Sequence, residues 1–524
     1  MRSSAVTILY YREFSSRTNM RTPAKLLLMA AMVIVAAVYA QNRQTSIESI
    51  QNIVVIFAEN RSFDALYGSF PGANGFKKAA AVPQRDRDGS VLKELPPIWK
   101  GLTAPGVTPP VTEAQTAHLP NRPFGIDDPD GFHQSLNVVT RDLWHRFYQN
   151  QMQIDGGKND GFAAWGDSGA LVLGHYDGSK LPLWNVARQY VLADNFFMGT
   201  FGGSFFNHVW LICGCVPRYP NADRSPASGE IMTVESDGVT LKLAPNSPRS
   251  AIDGPPRFLK DGNLTPDFYA VNTMQPPYQP SSNKPAPGGD IAYADPANPT
   301  TLPPQTEQTI GDLLSAKGVS WAWYGGAWQA ALDGKNARTV PNFQYHHQPF
   351  NYFASMAPGT PERAQHLKDG GLAGAALLDT IKAGKLEQVV FYKPQGNLNE
   401  HAGYADVATG DAHIASVIEQ LQKGPQWAHM VVIVTYDENG GFWDHVAPPK
   451  GDRWGPGSRI PAIVVSPFAK KGFVDHTAYD TTSILRLIST RFGLPTLPGI
   501  RARDAAIKAH GEKPLGDLTN ALHF

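Results

Sequence analysis

The apolar positions of the chain gather in short unbroken runs: residues 53–57 (IVVIF), 319–324 (VSWAWY), 389–392 (VVFY), 430–435 (MVVIVT) and 462–465 (AIVV). Runs without polar alternation predict strands buried on both faces. Helical spacing of apolar residues alternates with the later runs, over residues 310–316, 371–383, 412–422 and 481–492. The last of these predicts an N-cap at Asp480 or Thr481 and a stop at Gly493, with Pro495 beyond. Such alternation predicts an α/β fold with a mostly parallel central sheet flanked by helices. Two stretches, at about 78–130 and 217–305, are rich in Pro, Gly, Asn, Ser and Asp and show little periodicity. They are expected to be insertions that cover a site or form a smaller lid.

One apolar run stands apart. Residues 26–38 (LLLMAAMVIVAAV) follow Arg21 and Lys25 and precede Val38-Tyr39-Ala40. A basic start, a short apolar stretch and small residues at its end predict a cleavable signal peptide within residues 1–40, with Gln41 as the mature start. Met20 is the expected initiator. The mature chain, 41–524, is expected to form a single catalytic domain in the periplasm or outside the cell, with no stable membrane span. Composition adds exclusions. Lys plus Arg and Asp plus Glu are both 46, and 42% of residues are hydrophobic. A neutral balance gives no footprint for nucleic acid, and this apolar content excludes a disordered chain. The two cysteines, Cys213 and Cys215, are compatible either with a small strained disulfide ring or with two thiols.

Ligands of an open α/β sheet bind beyond the carboxyl ends of its strands, so the residues just after each apolar run matter most. After 53–57 come Ala58-Glu59-Asn60-Arg61-Ser62-Phe63-Asp64. Glu59 and Asn60 offer oxygens to a hard cation, and Asn60 or Ser62 would equally serve as a helix cap. After 430–435 come Tyr436-Asp437-Glu438-Asn439-Gly440-Gly441-Phe442-Trp443-Asp444-His445. Adjacent carboxylates repel unless a cation compensates them, although an acidic surface turn reads the same way. Between them, Gly202-Gly203-Ser204 precedes an apolar stretch that could be helical. A serine at a helix start, with free N–H groups and the positive dipole end nearby, suits attack on phosphorus; it also suits an ordinary cap. His133, His346, His347 and His401 lie in loops where imidazoles could contact a phosphate or protonate a leaving alkoxide. No G-x-x-x-x-G-K-[ST] loop, H-E-x-x-H helix or G-x-S-x-G elbow is present.

Residues 53–64 (IVVIFAENRSFD), 194–208 (DNFFMGTFGGSFFNH), 436–445 (YDENGGFWDH) and 455–466 (GPGSRIPAIVVS) together resemble the bacterial acid phosphatase and phospholipase C family of phosphoesterases, over residues 49 to 495 or so. The length is closer to the acid phosphatase branch. The resemblance implies a core like that of alkaline phosphatase. It implies one divalent metal ion of the hard, oxygen-preferring kind (Ca, Mg, Mn or Fe), held by Glu59, Asn60, Ser204, Asp437 and Glu438. It also implies Ser204 as nucleophile and His133, His346, His347 and His401 as phosphate contacts. The role of Asp444-His445 is left open. The expected activity is hydrolysis of small phosphate monoesters through a phosphoserine, with an optimum below neutrality because the leaving alkoxide needs a cationic imidazole. The alternative is phospholipase C action on phosphodiesters such as phosphatidylcholine, with phospholipid head groups as partners. A non-catalytic binding protein on the same fold, or a sulfatase without its C/S-x-P-x-R setting, fits these residues less well.

Overall fold

The structure, a computed structural model, describes residues 47–79 and 82–524. The expected signal peptide lies outside the described residues. The main body is Gln51–His523, and residues 47–50, described ahead of it, belong to a separate short unit. Of the short unit, residues 47–50 are described as a turn. The main body carries the sheet and the site. Among the described residues, no helix is long and apolar enough to cross a membrane.

The core of the main body is one eight-stranded sheet. Its strands are β1 (Asn52–Ala58), β2 (Val191–Ala193), β3 (Trp321–Gly326), β4 (Leu367–Gly371), β5 (Val389–Lys393), β6 (Met430–Tyr436), β7 (Ala462–Val465) and β8 (Phe473–Asp475). Their order across the sheet is β8-β2-β7-β6-β1-β5-β3-β4. All pairs are parallel except those made by β7, which is antiparallel to both β6 and β2. Every residue of β1, β5, β6 and β7 is buried, as unbroken apolar runs require when helices flank both faces. The architecture is therefore the α/β fold expected from the pattern.

The five expected strands all form, and the run at 319–324 pairs two residues later because Trp321 is the residue opposite Val389. Three strands escaped the pattern. β2 and β8 have three residues each, and β4 (LKDGG) is mostly polar or glycine, so none makes an apolar run. The expected helix from residue 371 begins later, because Gly371 ends β4 and Gly374, at φ +76°, caps a helix at Ala375–Lys382.

Six further helices set up the site. They are α1 (Phe63–Tyr67), α2 (Phe147–Ile154), α3 (Pro182–Gln189), α4 (Ser204–Cys213), α5 (Val407–Lys423) and α6 (Thr482–Phe492). Ser62 caps α1 by accepting from the Ala65 N–H. α4 is wholly buried and ends at Gly214 in the left-handed region, where Cys213 and Cys215 form a disulfide across the cap. Among the described residues, neither irregular stretch contributes a strand to the main sheet. Segment 217–305 nevertheless packs over the start of α2. The Phe147 N–H donates to Asn272 Oδ1 (3.1 Å), and the Arg146 guanidinium donates to the Asp261 carboxylate (3.2 Å) and to the Gly262 carbonyl (2.5 Å).

α5 and α3 are joined by a buried carboxylate. Asp411 Oδ1 accepts the Leu183 N–H (2.9 Å), one of the unpaired donors of the first turn of α3. Burial pushes the Asp411 carboxyl up to about 7, against about 3.9 for an unfolded chain. Between those values the folded state holds a proton that the unfolded chain has released. Stability therefore falls as pH rises through that window, by on the order of a few kcal/mol. Asp411→Asn keeps the acceptor for Leu183 and removes this titration. Its melting temperature should depend less steeply on pH between 5 and 7 than that of the parent; parallel curves would refute the assignment.

Candidate functional site

Strand register builds the site. β1 and β6 are neighbours with Ala58 opposite Tyr436, so the next residues along each strand, Glu59-Asn60 and Asp437-Glu438, emerge side by side. Two hydrogen bonds lock the strand ends together: the Asn60 N–H donates to Asp437 Oδ1 (3.0 Å) and the Asp437 N–H to the Ala58 carbonyl (3.1 Å). Gly440, at φ +62°, is required here, since a Cβ would lie 2.3 Å from the Asn60 carbonyl oxygen.

Ser204 opens α4 and faces this pair. Its hydroxyl lies 3.0 Å from Glu59 Oε2, 3.2 Å from Asn60 Oδ1 and 3.4 Å from Glu438 Oε1. Asn207 braces the approach by accepting the Thr200 N–H (3.0 Å) and donating to the Gly203 carbonyl (3.2 Å). Glu59, Asp437 and Glu438 are fully buried. Burial raises Asp437, with Glu59 adding to the effect, and brings it to about 8; burial and the Asp437 charge push Glu438 well above the carboxylate range. Glu59 behaves oppositely. Burial works to raise it, but Lys393 first, then His347 and His208, outweigh that and hold it well below its ordinary value. The Lys393 ammonium, from the end of β5, pairs directly with Glu59 Oε1, and His347 Nε2 is 2.9 Å from the same oxygen.

Above the serine lies a cavity of about 240 Å³, lined by His145, His346, His401, Tyr404, Asn272 and Arg146 among others. The His145 Nδ1–H donates to the Leu143 carbonyl (2.6 Å), and the His401 Nδ1–H donates to the Ala402 carbonyl. That leaves His401 Nε2 to the cavity, while His145 Nε2 meets the Asn60 amide at 3.4 Å. Burial lowers His346 and His401 and takes His347 down to about 4, so these rings are neutral near pH 7. The cationic imidazole expected from the sequence is thus confined to acid pH.

The structure brings together Glu59, Asn60, Ser204, Asp437, Glu438, His346, His347 and His401, all of them residues picked out in the sequence. It does not bring His133 there. That residue is exposed, at φ +53°, its N–H bonded to the Asp128 carbonyl, and it does not line the serine cavity. The histidine in that direction is His145, twelve residues on, which approaches Asn60 Nδ2 to 3.4 Å and Glu438 Oε1 to 3.8 Å. Sequence reasoning also missed His208, one turn into α4, whose Nδ1–H donates to the Ser204 carbonyl (2.7 Å). It missed Lys393 as well. A lysine directly after a buried strand was the available signal, since an ammonium so placed needs an anionic partner.

The buried carboxylates and histidines could hold a metal ion. Donor atoms of Glu59, His208 and His347 cluster, as do those of Asp142, His145 and His401. Lys393 already neutralises the Oε1 side of Glu59, so the side open to a cation is the one facing Ser204. Asp437 Oδ2 has no hydrogen-bond partner, as a waiting ligand atom would not. A third cluster, Asp64, Asp444 and His445, answers what the Asp444-His445 pair does: the Arg459 guanidinium lies between the carboxylates, at 3.1 Å from Asp64 and 3.0 Å from Asp444. That cluster ties the start of α1 to the loop after β6.

The model of the phosphoesterase family matches residues 50–495. Phospholipase C A of Mycobacterium tuberculosis is 25% identical, covering all of this chain and 87% of that protein. The non-hemolytic phospholipase C of Pseudomonas aeruginosa is 22% identical over 96% of this chain, which spans 61% of that protein. Among solved structures, a protein in the alkaline phosphatase superfamily from Vibrio parahaemolyticus covers 71% of this chain at 11% identity and a TM-score of 0.31, a likeness too loose to carry an argument.

Removing the one ammonium paired to Glu59 would leave a buried carboxylate uncompensated. Lys393→Met is expected to destabilise the fold by about 3–5 kcal/mol, read as a fall in the urea midpoint; an unchanged midpoint would show that Glu59 does not depend on this pair.

Proposed function

The chain belongs to the phosphoesterase family and is a phosphoric ester hydrolase, and from that premise we propose that it acts as a phospholipase C, splitting phosphodiesters on the glycerol side of the phosphate. The observation that carries the reading is the convergence of Glu59 Oε2, Asn60 Oδ1 and Glu438 Oε1 on the Ser204 hydroxyl at the floor of a polar cavity. The curated relatives, themselves phospholipases C, favour the diester over the monoester that length alone suggested. A second feature supports it. A cleft of about 890 Å³ shares Asp142 with the serine cavity and is walled by Pro105, Val107, Val111 and Trp144. Those apolar residues, set among Lys100, Glu113, Arg141 and Asp167, offer a surface to a glyceride leaving group. The smaller cavity, sized for a phosphate with a small head group, is what favours monoester hydrolysis as the second reading.

Ser204 Oγ attacks phosphorus, the new Oγ–P bond replaces the P–O bond to the leaving glyceride alcohol, and water later cleaves the Oγ–P bond, releasing the head group as its phosphate monoester and restoring the serine. Glu59, Asn60 and Glu438 offer acceptors for the serine proton and fix the direction of its lone pair. His346 and His401 lie at the cavity, where an imidazole protonated at acid pH can hand a proton to the departing oxygen. Glu59, Asn60, Ser204, Asp437 and Glu438 form an all-oxygen set suited to a hard divalent cation, and three buried carboxylates against one ammonium call for further positive charge. Such an ion, when bound, would lower the serine pKa and neutralise charge on the phosphoryl oxygens. We further propose export from the cytoplasm, supported by the signal-like residues 26–40 and by the Cys213–Cys215 pairing.

The test is turnover of p-nitrophenyl phosphorylcholine and p-nitrophenyl phosphate by residues 41–524. The diester should be hydrolysed, and Ser204→Ala should lose roughly 10³-fold or more while keeping its melting profile. Serine-dependent turnover of the monoester alone would return the assignment to phosphatase. Chelation should abolish turnover and added Mg²⁺, Ca²⁺ or Mn²⁺ restore it; activity indifferent to chelation would refute the metal.

A further inference from the structure

Three of the segments that carry the site are the loops after β1, β5 and β6. Each places its site residue next to a residue buried beneath the cavity. Asn60 is followed by Arg61, Asp437 is preceded by Tyr436, and His401 is preceded by Glu400. These three neighbours meet. The Glu400 carbonyl accepts from Arg61 Nη2 (2.7 Å). The Glu400 carboxylate accepts from the Tyr436 hydroxyl, with its two oxygens at 3.1 and 3.0 Å. Glu400 is fully buried and sits at φ +76°. A non-glycine residue holds that conformation only when its surroundings over-determine it, and such residues concentrate where a site needs one fixed geometry. α5 makes room for it: at Gly410 an added Cβ would fall 2.5 Å from Glu400 Cγ.

The serine chemistry does not use Glu400. Its carboxylate is engaged by Tyr436, and it is absent from the cavity wall. A buried carboxylate beside Asp411 is expensive to keep, and an apolar residue of like volume would pack there at lower cost. We infer that Glu400 is the positioning residue of the site, fixing Asn60, Asp437 and His401 relative to one another through Arg61, Tyr436 and its own strained backbone. The inference rests on the reading of Ser204 and its neighbours as a phosphodiesterase centre. The other charged groups around Glu400 are Arg61, Asp411 and Asp406. Arg61 also lies over the Phe442 ring at 5.1 Å, so the anchor extends into the Gly440-Gly441 turn.

The test uses Glu400→Met, which deletes the acceptors at similar volume, Glu400→Gln, which keeps one, and Tyr436→Phe, which deletes only the phenol donor. In the full chain, kcat for p-nitrophenyl phosphorylcholine should fall at least about 10-fold in Glu400→Met and Tyr436→Phe, with KM nearly unchanged. Glu400→Gln should recover most of that loss. The double variant Glu400→Met/Tyr436→Phe should be no worse than Glu400→Met alone, because the two residues act through one bond. A folded Glu400→Met or Tyr436→Phe protein with parental kcat overturns the inference. So does a loss confined to KM, or one that Glu400→Gln shares in full. If Glu400→Met does not fold, Tyr436→Phe decides by the same criterion. If the parent turns over neither chromogenic ester, the activity reading has failed by itself, and Mn²⁺ affinity by equilibrium dialysis takes over as the readout. Weaker binding in Tyr436→Phe then upholds the positioning role, and equal binding overturns it.

Discussion

Like-charge repulsion among Glu59, Asp437 and Glu438 is the constraint around which this protein is arranged. The three carboxylates are buried about one serine hydroxyl, in a volume where their mutual repulsion is far stronger than in water. Lys393 answers for one of them, and its contact on Glu59 Oε1 leaves Oε2 turned to the serine. The remaining negative charge is compensated either by protons or by a cation. The raised titration of Asp437 and Glu438 expresses the first state; the open oxygens facing Ser204 permit the second.

The sheet makes that crowding possible. Glu59-Asn60 and Asp437-Glu438 begin the connections that leave two central, adjacent, parallel strands, and β5 on the other side of β1 delivers Lys393. Rigid ladders supply positions that flexible loops would not hold against repulsion. α4 then brings Ser204 with its first turn aimed at the carboxylates, and His208, one turn later, lies 3.7 Å from Glu59 and 3.8 Å from Asp437. The irregular segment 217–305 finishes the cavity from outside: Asn272 and Thr273 line it, and Arg146 is held by Asp261 and Gly262.

The clusters around the site divide the labour. Arg459 with Asp64 and Asp444 anchors the loops bearing the acidic blocks, and Glu400 with Arg61 and Tyr436 sets the three strand ends against each other. Neither touches the cavity above Ser204. Both join residues of the same short blocks that carry the ligand-type side chains, so blocks such as ENRSFD and YDENGGFWDH combine oxygen donors with residues that hold them in place.

Local pattern alone determined the central strands and the helices 310–316 and 482–492, because a strand buried on both faces must be an unbroken apolar run and a helix must repeat its apolar face. The same locality made Glu59, Asn60, Ser204, Asp437 and Glu438 legible, since oxygen donors crowded at strand ends and a helix start are costly without a purpose. The short strands β2, β4 and β8 were not legible: three residues, or a Gly-rich pentapeptide, carry no period, and only pairing to a neighbour makes them strands. Choosing among histidines was likewise a tertiary matter. Neither the neighbours of His133 (GFHQSL) nor those of His145 (LWHRFY) say which meets the site, but the chain folds one outward and turns the other onto Asn60. Lys393 and Glu400 acquire meaning only from what they face across the sheet. Periodicity and residue chemistry are properties of a segment, whereas the partner of a charge is a property of register and packing, and these exist only once the whole chain has folded.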